Sequence, residues 1–175
     1  METLEFIFKI VILGEPNVGK TSLVYRFVQG LFKADYKATL GVNLFKKDAE
    51  IDGKIISTQI WDLGGQDSFK SLRKLYLQGA HGGFLVYDTT NRSSFEKLVE
   101  WVQSFKALRS VEPLLLIGNK SDLKDKIKVK EDECKNFAKI YNMEFLLTSA
   151  KTGDNVENAF KELIKKILKR NLPKK

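Results

Sequence analysis

The sequence predicts a three-layer α/β domain whose six-stranded sheet is mostly parallel, with one antiparallel hairpin at its edge. Two observations carry this: short apolar runs alternate with segments of helical period, and two extended runs flank a single tight-turn dipeptide. Strands that alternate with helices require right-handed crossovers, which build a parallel sheet. FIFKIVILG (6–14) reads as a buried strand, and 21–29 as a helix with Leu23, Val24 and Phe27 on one face. Residues 42–62 hold two extended runs around Asp52-Gly53, which favours a hairpin turn. There follow a helix-like 67–78, the strand GGFLVYD, a helix over 93–108, the strand PLLLIGNK, a helix over 131–141, the strand EFLLTSA and a helix over 155–169. No repeat or linker interrupts this order, so 1–170 is expected as one domain and 171–175 as a short basic tail.

Composition narrows the function classes. At 175 residues with 43% hydrophobic residues, the chain is long enough for one core and short for two. No stretch approaches the roughly 18 to 20 apolar residues of a membrane span, and the first residues lack the pattern of a signal peptide. The single Cys134 excludes an internal disulfide framework and suits a reducing, cytoplasmic setting. A net charge of +8 favours anionic partners in general. No aromatic-basic interleaving accompanies it, so nucleic acid is not an expected partner.

Short stretches at strand ends carry the chemistry. Gly14 to Thr21 fits G-x-x-x-x-G-K-[ST] between a strand and a helix. The backbone of Asn17, Val18, Gly19, Lys20, Thr21 and Ser22 then forms an anion nest, with Lys20 facing the β- and γ-phosphates and the Thr21 hydroxyl a ligand for Mg²⁺. In IWDLGGQD, Asp62 ends a strand beside that loop and can hold Mg²⁺ through water. Gly64 and Gly65 allow the backbone to approach a terminal phosphate, and Gln66 is placed to orient a water. Asn119, Lys120 and Asp122 follow another buried strand. The Asp122 carboxylate can accept from N1–H and N2–H₂ of guanine, a donor pair adenine lacks. Lys120 can lie along the base, and Asn119 can tie the loops together. Ser149, Ala150 and Lys151 follow the next strand, where the Ala150 N–H can meet guanine O6. All four stretches fall where open α/β sheets bind ligands.

These residues resemble the Ras superfamily of small GTPases: GEPNVGKT, the threonine of ATLGV, WDLGGQ, NKSD and SAK, from about Phe8 to Leu168. Within it the chain is most similar to the Rab branch, through TLGVNLFKK, Trp61 before Asp62, and YLQGAHGGFLVYDTTNRSSFEKLVEW, with an Arf-like GGQ. The resemblance implies a P-loop GTPase domain, a monomer that binds GTP and GDP with Mg²⁺ and serves as a switch in trafficking or signalling. It implies Thr39 as the first-switch residue, with its hydroxyl on Mg²⁺ and its N–H on the γ-phosphate, so that Thr21, Thr39 and Asp62 form the metal set. Phe32 would stack edge-on against guanine, with a core aromatic as the alternative, and Tyr36 would close over the phosphates. Gly65 would sense the γ-phosphate and Gln66 would orient the attacking water, making Gln66, Lys20 and Thr39 the catalytic set. No arginine stands out as a finger in cis, so intrinsic turnover is expected on the order of 10⁻⁴ to 10⁻² s⁻¹. Activating and exchange proteins and effectors are implied partners, through residues 32–45 and 61–78.

The chain also departs from the family pattern. Pro16 stands where Ras has glycine and Rab proteins usually a small residue, and Gly64 replaces an alanine. The aromatic triad that Rab proteins show to effectors maps to Leu44, Trp61 and Tyr76, with Phe45 beside its first member. The C-terminus lacks prenylatable cysteines and Glu2 excludes myristoylation, so no lipid anchor is expected. Lys161, Lys165 and Lys169, with Lys166, Arg170, Lys174 and Lys175, offer weak peripheral membrane contact or simply a solvated face. His81 and Cys134 read as structural residues. Two rivals remain: a module that holds nucleotide and docks effectors with little hydrolysis, which Pro16 keeps open, and a small-molecule kinase. The kinase would need an insertion and an arginine cluster between Asp62 and Asn119, and the sequence has neither.

Overall fold

Strands that bear apolar residues on both faces need cover on both sides, and the central strands here are of that kind. The computed structural model of the chain describes residues 6–33, 37–109 and 112–173, and of Phe69 only the backbone. Strands β1 (Phe6–Leu13), β2 (Val42–Ile51), β3 (Lys54–Leu63), β4 (Gly82–Asp88), β5 (Leu114–Asn119) and β6 (Glu144–Leu147) form one sheet in the order β2-β3-β1-β4-β5-β6. Only the β2–β3 pair is antiparallel. The expected α/β architecture is therefore the one observed.

Helices α1 (Lys20–Gln29) and α6 (Val156–Asn171) cover one face, while α2 (Arg73–Leu77), α3 (Arg92–Glu96), α4 (Leu98–Arg109) and α5 (Glu131–Ile140) cover the other. Side chains alternate accordingly: Ile10, Ile12, Phe84 and Val86 join the α1/α6 core, and Val11, Leu13, Leu85 and Tyr87 the opposite one. In the first core Phe160 stacks on Phe27 at 4.0 Å and meets Phe84 edge-on at 4.8 Å. Asp52 and Gly53 both have positive φ, 51° and 72°, as a two-residue hairpin of the favoured hand requires.

Four elements differ from expectation, the first three for a local reason. The stretch 67–78 is a 3-10 segment, Asp67–Leu72, followed by the short α2. Asp67, Ser68, Lys70 and Ser71 are exposed, so no packed face holds them in α geometry. The helix expected over 93–108 begins under an Asn91 cap and divides at Lys97. There the Lys97 N–H closes on Ser93 O, and Lys97 O accepts a tight i+3 bond from the Glu100 N–H. Strand β6 stops at Leu147 because the next residues turn to other acceptors, Ser149 N–H to Asp154 O and Ala150 N–H to Asn119 Oδ1. Helix α6 continues to Asn171, the first residue of the expected tail.

Replacing Phe160 with alanine removes both aromatic contacts from a 2% exposed site and is expected to cost about 3–5 kcal/mol in denaturant unfolding. Ile140→Ala, at a 75% exposed site, is the control and should stay within about 0.5 kcal/mol.

Candidate functional site

The loops at the C-terminal ends of β1, β3, β5 and β6 surround a cavity of about 480 Å³, within the usual range for small-ligand sites. Asn17, Gly19, Lys20, Thr21, Ser22, Phe32, Thr39, Gly65, Gln66, Asn119, Lys120, Asp122, Ala150 and Lys151 line it. Three further residues singled out in the sequence sit just behind. Val18 is buried in the α1/α6 core, and Asp62 and Ser149 are buried beneath the wall. Tyr36 lies outside the described residues.

At one end, the loop after β1 is shaped by two close approaches. Gly19 has φ 96°, and a Cβ there would lie 2.3 Å from Asn119 Nδ2. A Cβ on Gly65 would come 2.4 Å from Gly14 O, so the chain after β3 rests directly on this loop. Lys20 Nζ donates to Gly14 O at 2.8 Å and Glu15 O at 2.7 Å. Burial pushes its amine down to about 8, against the opposing fields of Asp62 and Glu15. Beside it, the Thr21 hydroxyl donates to Asp62 Oδ2, and Thr21 Oγ1 and Thr39 Oγ1 are 2.6 Å apart. Burial raises the Asp62 pKa, while the Thr21 hydroxyl, Lys20 and the Thr39 hydroxyl act to lower it. Asp62 Oδ1 is buried without a hydrogen-bond partner among the described residues. Two hydroxyls and a carboxylate with an orphaned oxygen suit a hard divalent cation, and so fit Mg²⁺.

At the other end, Asn119 Nδ2 donates to Val18 O at 3.0 Å, while its Oδ1 accepts from the Thr148 hydroxyl at 3.1 Å and the Ala150 N–H at 3.2 Å. The Ala150 N–H, read in the sequence as able to meet guanine O6, here donates to Asn119 Oδ1. Ser149 Oγ donates to Asp122 Oδ1 at 2.7 Å and holds that carboxylate in place. Lys120, at φ 65°, bridges Asn17 O at 2.8 Å and the Asp88 carboxylate at 2.7 Å, which lays its stem along the cavity wall. Phe32 lines the cavity and also packs against the α1/α6 core.

The sequence reading missed several contributors. Lys33, Lys37, Ala38 and Leu123 line the cavity, beside Pro16, which the sequence had singled out. Arg26 donates from Nε to Ala150 O at 2.9 Å and from Nη2 to Lys151 O at 2.6 Å, fastening the base-side loop to α1. No local pattern announces this fastening, because the carbonyls of Ala150 and Lys151 lie more than 120 residues away. The triad positions do converge: Leu44 faces Trp61 across the β2–β3 ladder, and the Trp61 and Tyr76 rings are 6.0 Å apart. Phe45 turns to the other face and meets Tyr25. His81 Nδ1 accepts the Lys9 N–H, and Cys134 is buried against the Tyr87 hydroxyl, so both are structural as read. Among the described residues no helix is long and apolar enough to cross a membrane.

Comparison with known proteins agrees with this geometry. A family model described as Ras family matches residues 9–169. Ras-related protein Rab-30 of Homo sapiens is 42% identical over 164 residues, covering 93% of this chain and 81% of its own. Ras-related protein RIC2 of Oryza sativa subsp. japonica is 40% identical over 167 residues, covering 93% and 76%. Ras-related protein RABA1a of Arabidopsis thaliana is 37% identical over 171 residues, covering 96% and 78%. With loops of this geometry at the strand ends and a match that runs nearly the whole length, the chain belongs to the Ras family, as a GTP-binding small GTPase near the Rab branch.

Proposed function

We infer that residues 1–170 form one GTPase domain that binds GTP with Mg²⁺ and hydrolyses it to GDP and phosphate as a timed switch. The observation that carries this reading is a single cavity with a fixed carboxylate, Asp122, at one end and a buried ammonium, Lys20, beside a hydroxyl–carboxylate cluster at the other. Asp122 selects guanine by accepting from both of its edge donors, and Lys20 sets positive charge against the β- and γ-phosphates. Thr21, Thr39 and Asp62 would hold Mg²⁺, which when bound neutralises charge on the phosphates and polarises the bond that breaks. Gly65 offers its N–H to the γ-phosphate, and Gln66 orients the attacking water. Catalysis is then positioning and electrostatics, with no covalent nucleophile. Loss of the γ-phosphate removes what Thr39 and Gly65 grip, and both segments relax.

Effectors, activating proteins and exchange proteins would read that change at 32–45 and 61–78, in intracellular trafficking or signalling. The basic face of α6 supports weak, reversible contact with anionic membranes by an otherwise cytoplasmic monomer. Pro16 supports a second reading. It lines the cavity mouth, and a Cβ on Gly65 would lie 2.6 Å from its nitrogen, so its ring crowds the place where a partner's arginine would enter. In that case nucleotide is held with little turnover.

Single-turnover GTP hydrolysis, measured with binding of GTP, GDP and ATP, tests both readings. Slow hydrolysis with guanine-only binding is expected; tight guanine binding without turnover favours the holding module, and equal affinity for ATP refutes both. Asp122→Asn is expected to weaken GTP binding on the order of 10- to 100-fold and to favour xanthine nucleotides, read by competition binding. Gln66→Leu should slow hydrolysis on the order of 100-fold while GTP still binds; an unchanged rate removes Gln66 from the mechanism.

A further inference from the structure

The segment after β3 carries a buried cation that the hydrolysis reading does not use. Arg73 opens α2, is 5% exposed, and places its guanidinium carbon 3.4 Å from the centroid of the Trp101 ring on α4. Its Nε and Nη1 are buried with no hydrogen-bond partner among the described residues. Of the acids nearby, Glu15 and Glu100 are engaged by other groups, and Asp67 is exposed. Glu15 Oε1 accepts the Trp101 indole N–H at 3.0 Å, and Oε2 lies 3.5 Å from Lys97 Nζ. Glu100 pairs with Lys70 at 3.4 Å. Because Glu15 belongs to the phosphate-binding loop, one indole joins three parts. Its face takes Arg73, its N–H holds the loop, and its backbone belongs to α4.

Two bare donors in a buried guanidinium are costly, and the cation–π stack offsets that cost only in part. Such a contact is easily reversed, since both donors gain water on release. The contact also controls position. α2 buries just two residues, Arg73 and Leu77, so Arg73 is half of its anchorage. The chain between β3 and α2 includes Gly65, which rests on Gly14 so closely that a Cβ would not fit. Where α2 is held therefore fixes where Gly65 and Gln66 sit.

Resting on the reading of the chain as a GTP switch, we propose that Arg73 is a positioning residue whose stack on Trp101 seats the second switch against the phosphate loop for hydrolysis and is released when the γ-phosphate is lost. While GTP is bound the stack holds the α2 end of the second switch, and Glu15 ties the phosphate loop to the same indole.

The chain has two tryptophans, so in a Trp61→Phe protein the Trp101 indole is the sole reporter. Its emission is expected to differ between the GDP form and the form with a non-hydrolysable GTP analogue, and acrylamide quenching to be greater with GDP. Arg73→Met, made in that protein, should abolish the difference and slow single-turnover hydrolysis about five- to tenfold, with a smaller effect on GDP affinity. Arg73→Lys, which returns a cation to the ring, should recover part of both. Hydrolysis by Arg73→Met at the parental rate overturns the proposal. The quenching comparison needs no Arg73 variant, and equal quenching in the two nucleotide states overturns it as well. Guanine binding with emission indifferent to nucleotide overturns the proposal alone, whereas a protein that binds no guanine nucleotide overturns the switch reading along with it.

Discussion

The Asn119 side chain, 1% exposed, holds three loops in fixed relation: it donates to Val18 O in the phosphate-binding loop and accepts from Thr148 and Ala150 in the loop after β6. An amide can do this because it is donor and acceptor at once, and a buried amide left unpaired would be costly. The rest of the site follows from that geometry. Gly19 must lack a side chain because Asn119 occupies its space. Asp122 lies three residues beyond Asn119 and is fixed by Ser149, the neighbour of Ala150. The distance between the base end and the phosphate end of the cavity is therefore set by one residue before any ligand arrives.

Charge at the cavity divides into two roles. Lys20, Lys33, Lys37, Lys120 and Lys151 line it, and in a chain of net charge +8 they attract any polyanion. Selectivity comes from the two acids set among them. Asp62 is buried and offers an unpartnered oxygen, and Asp122 is clamped by a hydroxyl. A carboxylate in a basic cavity repels phosphate in general, so it is tolerated only where something specific meets it. On the proposed reading those are a divalent cation beside Lys20 and a base edge that presents two N–H donors.

The succession of strands and helices was legible in the sequence because it depends on short-range spacing. Alternation of apolar runs fixes where strands end, and strand ends are where Lys20, Asp62, Asn119 and Ala150 stand. Contacts between distant segments were hidden. Arg26 reaches carbonyls at 150 and 151, and Arg73 lies on a tryptophan 28 positions later in sequence, with no periodicity to mark either. The division of 67–78 was equally hidden, since it depends on which side chains find packing partners. The Ala150 N–H was assigned from its place in a motif, and the structure directs it to the Asn119 side-chain oxygen.

The sheet separates the two cores against which side chains of 32–45 and 61–78 pack. Phe32 and Phe45 pack on the α1/α6 side, whereas Leu63, Tyr76 and Leu77 belong to the opposite side. A bond of 2.7 Å from the Gly64 N–H to Gly41 O crosses between the stretches at the sheet edge. Val42 of the first stretch also packs on the second core beside Trp61, and Leu44 faces Trp61 across the ladder, so the two stretches are joined along this edge. On the proposed switch reading, a molecule that grips both stretches therefore senses one seam, and a change on either side of it reaches the other through these shared contacts.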